Sequence, residues 1–203
     1  MASEPGATQC EYCLAGWFLS SAGRCEECGA DNAWSANKAR RCRTCPVGSF
    51  TSGGTTTTRT SCVECPAGSA CDGTSVKVEC PPGTHAFGNQ SACQPCEEGK
   101  YTASAGQPAC FVCEASKGYT SSPDRKSCGR CMANFFLWNN TECKKCPGSA
   151  NCATEGLTTE TLPLKPDWYR ASREVMRIRE CVYDNSCEGG GTNGIAPVGD
   201  EIC

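Results

Sequence analysis

The sequence predicts a small disulfide-rich fold: an elongated tandem array of short β-hairpin, cysteine-rich repeats with little helix. Three observations carry that expectation. Cysteine supplies 22 of the 203 residues, most of them in Cys-x-x-Cys pairs at near-regular intervals, and glycine and an aromatic recur at fixed offsets behind the pairs. At this cysteine content a disulfide scaffold is the usual solution.

Hydrophobic residues make up 38% of the chain, but that count includes cysteine. Without cysteine about a quarter remains apolar, too little for a conventional core at this length. Cross-links must then offset the conformational entropy that burial cannot. The net charge of −3 and the pI near 5.3 supply no global positive field to recruit nucleic acid or an anionic membrane. Two local exceptions are Lys38, Arg40, Arg41, Arg43 and Arg170, Arg173, Arg177, Arg179. Both read as solvated faces in preference to anion-binding patches.

The opening MASEPGATQCEYC lacks the apolar stretch of a signal peptide, and no segment is long and apolar enough to span a bilayer. Cysteine usage nonetheless points to an oxidising compartment. The two agree if the chain is a piece of a larger secreted or membrane-anchored protein, which is the expectation.

Eight Cys-x-x-Cys pairs begin at Cys10, Cys25, Cys42, Cys62, Cys93, Cys110, Cys128 and Cys143, with 11 to 16 residues between neighbours outside the interval from Cys65 to Cys93. Gly stands three residues after Cys13, Cys45, Cys65, Cys80 and Cys96. That placement suits a tight turn with positive φ. An aromatic stands five residues after Cys13, Cys45, Cys96 and Cys131: Phe18, Phe50, Tyr101 and Phe136. It begins a short strand and can cover a disulfide as a miniature core. Ser/Gly-rich returns lead back to the next pair, so each unit reads as two short strands joined by turns.

Three blocks follow: residues 1–71 and 72–152 as cysteine-rich repeats, and 153–203 as a β-rich segment with a Gly-rich tail leading to a further module. In the last block no cysteine falls between Ala153 and Glu180, while Leu157, Leu162, Leu164, Trp168, Tyr169, Val175, Met176 and Ile178 supply apolar side chains. TLPLKPDWYR and REVMRIREC read as strands broken by proline that pack back on the last repeat; a helix over residues 172–179 is the competing expectation.

Zinc is one rival reading of the cysteines, because Cys10, Cys13, Cys25, Cys28 and Cys128, Cys131, Cys143, Cys146 fit four-cysteine spacing. Against it, the pairs form one continuous array, six further cysteines have no place, and the Gly and aromatic markers follow the pair. Redox chemistry predicts one pair at a helix start, with a depressed thiol pKa. Eight copies in loop-rich sequence do not look like that, and disulfides are preferred.

A turn and strand that start at the second cysteine of one pair would close on the first cysteine of the next. The markers thus suggest Cys13–Cys25, Cys28–Cys42, Cys45–Cys62, Cys80–Cys93, Cys96–Cys110, Cys113–Cys128 and Cys131–Cys143. Cys65–Cys71, Cys146–Cys152 and Cys181–Cys187 follow by analogy. Spacing alone leaves connectivity open. Cys10 and Cys203 are left over at opposite ends, each wanting a partner outside the chain.

The unit C-P-x-G-x-[FY]…C-x-x-C, carried by CPVGSFTSGG…SCVEC, CPPGTHAFGNQSACQPC and CEEGKYTASAGQPACFVC, resembles the ephrin-receptor-like cysteine-rich repeat, related in style to tumour-necrosis-factor-receptor, EGF-like and growth-factor-receptor repeats. The resemblance covers about Cys10 to Cys152; CEASKGYT and CMANFFLW depart from its Gly position. LPLKPDWYRASREVMRIREC looks like the segment that follows such repeats in very large surface proteins of single-celled eukaryotes, with Asp167-Trp168-Tyr169-Arg170 where Gly-Tyr-Trp-Arg is common. The resemblance implies an extracellular, repeat-built surface or filament protein, with a further disulfide module after Cys203.

Other chemistry is sparse. The one histidine, His85, reads as a solvated turn residue with no nucleophile beside it. Gly189-x-Gly191-x-x-Gly194 lacks a strand–turn–helix context for a dinucleotide site. Asp200 and Glu201 are short of a calcium loop. Asn89-Gln90-Ser91 and Asn139-Asn140-Thr141 are glycosylation sequons, each four residues before a pair. The run Thr55 to Thr58 suits O-linked sugar or an exposed turn. Neither an enzyme, a cofactor nor a metal site is expected.

The leading expectation is a non-enzymatic extracellular spacer in a stalk, filament or cell-surface coat. Its partners would be other extracellular proteins or copies of itself, with N-linked glycans. Nucleic acid and a membrane span in this piece are not expected. The alternative is a receptor-type module binding protein or glycan through Trp168, Tyr169 and Arg170, residue types favoured at interface hot spots. An intracellular zinc-binding array is the third.

Overall fold

The computed structural model describes residues 12–53, 55–174 and 176–182. Cys10, Cys187, Cys203, Val175, the 189–194 glycine run, Asp200 and Glu201 lie outside them. Within these bounds the chain is a series of two-stranded antiparallel hairpins, each built from strands of two to four residues. In order they are β1 Trp17–Leu19 with β2 Cys25–Glu27, β3 Ala33–Trp34 with β4 Arg43–Thr44, and β5 Ser49–Thr51 with β6 Cys62–Glu64. There follow β7 Ser69–Cys71 with β8 Lys77–Glu79, β9 Thr84–His85 with β10 Gln94–Pro95, and β11 Lys100–Tyr101 with β12 Phe111–Val112. The last are β13 Tyr119–Thr120 with β14 Arg130–Cys131, β15 Phe135–Trp138 with β16 Glu142–Lys145, and β17 Trp168–Tyr169 with β18 Arg179–Glu180. Among the described residues the only helix is a 3-10 turn at Ala115–Lys117. Isolated hairpins this short are marginal in water, so covalent and interhairpin bonds must hold them.

Nine disulfides between described residues do so: Cys13–Cys25, Cys28–Cys42, Cys45–Cys62, Cys65–Cys71, Cys80–Cys93, Cys96–Cys110, Cys113–Cys128, Cys131–Cys143 and Cys146–Cys152. Each runs from the second cysteine of a pair, or the lone Cys80, to the next cysteine along the chain. β8 explains the short Cys65–Cys71 bridge. In KVEC, Lys77 stands where CVEC of β6 has Cys62, so Cys65 closes on Cys71 at the end of β7 instead.

The contacts divide the chain into two units, Met1–Cys96 with Thr102–Phe111, and Glu97–Tyr101 with Val112–Cys203. The first unit spans the block boundary expected after residue 71, because Gly68 N–H donates to Ala86 O (2.7 Å) and Cys71 N–H to Gln90 O (2.9 Å). One motif recurs here. The carbonyl of the turn glycine accepts from the second cysteine of the next pair: Cys28 to Gly16, Cys65 to Gly48 and Cys96 to Gly83, each 2.9 Å. The same glycine's N–H reaches forward to a later hairpin, as Gly48 does to Cys71 O (2.8 Å) and Gly83 to Thr102 O (2.9 Å). Gly48 has φ +83°, and a β-carbon there would lie 2.3 Å from Asn89 O. Glycine is therefore required for conformation and for close approach.

Sulfur fills the centre of this unit. Cys13, Cys28, Cys45, Cys80 and Cys96 are buried, while their partners Cys25, Cys42, Cys62, Cys93 and Cys110 are half-buried; in the Cys65–Cys71 bridge both cysteines are buried. Small and hydroxyl side chains fill the rest, and two of the hydroxyls bond to backbone: Ser35 Oγ donates to Trp17 O (2.8 Å), and Thr102 Oγ1 to Thr84 O (3.1 Å). The marker aromatics Phe18 and Phe50 begin strands as expected but remain half exposed.

The second unit adds an apolar cluster. Phe136, Ala150, Cys152, Leu157, Leu162 and Leu164 are buried together, with Trp138, Trp168, Met176 and Ile178 packed against them. Phe136 is thus the marker aromatic that becomes core, because the segment after Cys152 folds back over it. Residues 172–179 contain no helix among those described; the segment turns and pairs with β17 instead. In the repeats that open at Cys131 and Cys113, which lack the Gly marker, the turn is rescued differently. Asn134 takes φ +69° in the glycine's place, a conformation asparagine tolerates. After Cys113 the 3-10 turn displaces the left-handed residue to Gly118, whose missing β-carbon makes room for the Phe135 ring.

Candidate functional site

The residues singled out in the C-terminal segment meet at β17. Trp168 and Tyr169 are half-buried there, opposite Glu180 and Arg179, and Trp168 packs against the apolar cluster. Arg170 follows but is only 1% exposed. Its guanidinium donates to Thr159 O, to Glu160 O (3.3 Å) and to Leu162 O (3.5 Å). A planar cation with five donors suits three diverging carbonyls of one loop. Arg170 is therefore an internal clamp rather than an interface residue, which corrects its assignment to a partner site. Trp168 and Tyr169 alone retain exposed surface for that role.

The sequons occupy comparable places. Asn89 lies in the loop between β9 and β10, and Asn139 opens the three-residue loop between β15 and β16; both are exposed, with φ of +52° and +47°. Thr141 N–H donates to Trp138 O (3.0 Å), closing that turn around Asn139 and Asn140. Thr55 to Thr58 form a turn knit by hydroxyls, with Thr58 Oγ1 donating to Gly53 O (2.7 Å).

His85 is not a solvated turn residue. It sits in β9, half-buried, with Nδ1 3.2 Å from Cys110 Sγ and its ring edge-on to Phe87. His85, Cys96 and Cys110 bring three ligand-type atoms within 4.8 Å of one another, but the two sulfurs are bonded to each other. Neither is a thiolate, the form that binds metal. The same reasoning removes the four-cysteine zinc reading: Cys13 is bonded to Cys25, and Cys131 to Cys143, inside the sets zinc would need. Cys181 is also disulfide-bonded; its expected partner, Cys187, lies outside the described residues.

Sequence reasoning missed Arg59. It is buried, donates to Ala30 O (2.9 Å) and pairs with Asp31 at 3.4 Å across 28 positions of sequence. No local signal marks a basic residue whose partner comes from an earlier repeat.

Hairpins, bridges and Gly turns together define the class: a small disulfide-rich array of cysteine-rich hairpin repeats. No family model matches the chain. It is similar to signal peptide, CUB and EGF-like domain-containing protein 3 from Homo sapiens and from Mus musculus, 26% identical to each over 40% of this chain. The match spans a tenth of the length of those curated relatives. No helix among the described residues is long and apolar enough to cross a membrane.

Proposed function

We propose that this chain is a non-enzymatic structural spacer in an extracellular, repeat-built surface, stalk or filament protein. One observation carries the reading: seven of the nine hairpins are closed by their own disulfide, and turn glycines such as Gly48 and Gly83 are hydrogen-bonded to a later hairpin, so material is spent on continuity rather than on a cleft. Disulfides in this density persist in oxidising compartments. The names of the relatives, with a signal peptide and EGF-like domains, agree with that location. The Gly and aromatic markers support kinship with ephrin-receptor-like and tumour-necrosis-factor-receptor-like repeats. Glycans on Asn89 and Asn139 would extend from exposed loops and keep the surface soluble.

A distance measurement tests the spacer. Non-natural spin labels at the exposed Ser21 and Ser104, both in the first unit, should give one narrow distance distribution in the oxidised chain. A broad distribution would refute a fixed separation. The compartment is tested separately by the mass of the unreduced secreted protein, which should fall about two mass units per bridge below the thiol form. A full set of free thiols would refute it. The second reading, a partner-binding module, rests on the half-exposed pair Trp168 and Tyr169. Tyr169→Ala should weaken capture of the partner without loosening the fold.

A further inference from the structure

The segment between β3 and β4 concentrates charge in a way its sequence leaves ambiguous. Lys38, Arg40, Arg41 and Arg43 fall within six residues, all four exposed, in a chain whose net charge is −3. None makes an ion pair with another described residue; Arg59, which does, is buried. Lys38 instead lies over the Tyr12 ring (5.2 Å to the centroid) and Arg43 over the Trp34 ring (5.6 Å). Aromatic faces hold a cation in place without neutralising it.

The loop is also fixed before any ligand arrives. Lys38 N–H donates to Cys13 O (2.8 Å), Ala39 O accepts from Leu19 N–H (2.9 Å), and Asn37 Oδ1 accepts from Ala15 N–H (2.8 Å). The Cys28–Cys42 bridge closes its far end, and Lys38 holds φ +64°. Two concavities flank the loop. One, of about 370 Å³, is lined by Trp34, Asn37, Arg40, Arg41 and Arg43 among others; the second, of about 430 Å³, by Tyr12, Leu19, Lys38 and Arg40. Among the described residues no carboxylate lines either, and Arg40 borders both.

We propose that this loop is a binding site for a sulfated polysaccharide chain. Adjacent guanidinium groups match the forked oxygens of sulfate, and a rigid loop loses little entropy on binding. Two concavities either side of one arginine admit successive charged groups of a flexible chain, which a flat bilayer could not present. With the molecule negative overall, attraction is confined to the loop, so affinity must fall steeply with salt. Neutralising about four charges predicts a loss of roughly a hundredfold between 50 and 200 mM salt, by the counterion-release rule. The choice of polysaccharide among polyanions rests on the extracellular reading.

The test uses the whole oxidised chain on immobilised heparin. Arg40→Ala with Arg41→Ala, both exposed positions, should weaken binding about tenfold or more through lost charge-assisted bonds. Arg177→Ala with Arg179→Ala, an equal loss of exposed charge elsewhere, should leave affinity within about twofold, because screening limits distant charges. N- and O-desulfated heparin should bind at the level of the loop variant. Equal loss in both double variants would overturn the site, since bulk charge would then explain the binding. Retention on phosphatidylserine vesicles or duplex DNA, with none on heparin, would overturn the ligand. Failure of the thiol count would strike only the compartment, so the two failures are distinguishable. Unfolding curves of both variants that match the parent remove misfolding as a cause.

Discussion

Replacing Gly48 by alanine should damage the first unit far more than the same change at Gly23. Both residues have positive φ, +83° and +73°, so alanine pays the left-handed backbone cost at each, about 1–2 kcal/mol. Part of that is offset by the stiffer unfolded chain, by about 0.4–1 kcal/mol. The two sites differ in what the new β-carbon meets. At Gly23 nothing lies within 4 Å; at Gly48 it would stand 2.3 Å from Asn89 O and 2.8 Å from Asn89 C. Backbone must therefore move by close to an ångström. The bonds in its way are Gly48 N–H to Cys71 O (2.8 Å) and Asn89 N–H to Cys65 O (2.9 Å). Losing both adds about 2 kcal/mol at roughly 1 kcal/mol per bond. The expected totals are about 3 kcal/mol for Gly48→Ala and about 1 kcal/mol for Gly23→Ala. Denaturant unfolding of the oxidised proteins gives the difference, and amide exchange at Gly48 and Asn89 should quicken only in the first variant. Equal destabilisation would refute the idea that close approach between hairpins, rather than turn conformation alone, fixes the glycine.

Two further expectations concern single side chains. Arg170→Met keeps bulk but leaves the carbonyls of Thr159, Glu160 and Leu162 without their donor, which should cost about 3 kcal/mol and expose the 157–170 segment to protease in the unreduced protein; unchanged protection would refute the clamp. Asp72 accepts from the side chain and then the backbone N–H of Thr74, which holds its carboxyl below the usual aspartate value. Its contribution is thus present above the unfolded pKa and is lost as pH falls through the lower folded value. Thr74→Val should move the carboxyl midpoint, followed by NMR, back up; an unmoved midpoint would show that the hydroxyl is not the cause.

What could be read from the sequence was what is local. The order of the bridges, the turn at Gly48 and the strand at Phe50 all lie within one repeat, where spacing determines who can meet whom. Asn134 and Gly118 show how the same turn survives substitution or a two-residue shift, which spacing flagged as departures without resolving. The misreadings concern distance in sequence. Arg170 looked like an exposed interface residue because its three acceptors, 8 to 11 positions earlier, carry no motif. His85 looked solvated because Cys110, 25 positions on, is brought to it by the pairing of later hairpins. Phe18 and Phe50 are read from the spacing as covers for disulfides, yet both stay half exposed, and the buried positions between the cysteines are mainly small and hydroxyl residues, which composition does not announce.

The run of bridges also sets how far the chain can be pulled. From Cys13 to Cys152 a covalent path crosses nine disulfides of 5.5 to 6.1 Å between α-carbons. Seven three-residue steps and the single longer step from Cys71 to Cys80 join them. At about 3.4 Å per residue that path is about 150 Å at full tension, against about 470 Å for the reduced chain. Slack in the oxidised molecule is concentrated between Cys71 and Cys80, where β8 can peel away and yield about 30 Å at most. Stretching therefore has a hard stop, and a reductant, rather than force, is what lets out the remaining two-thirds of the length.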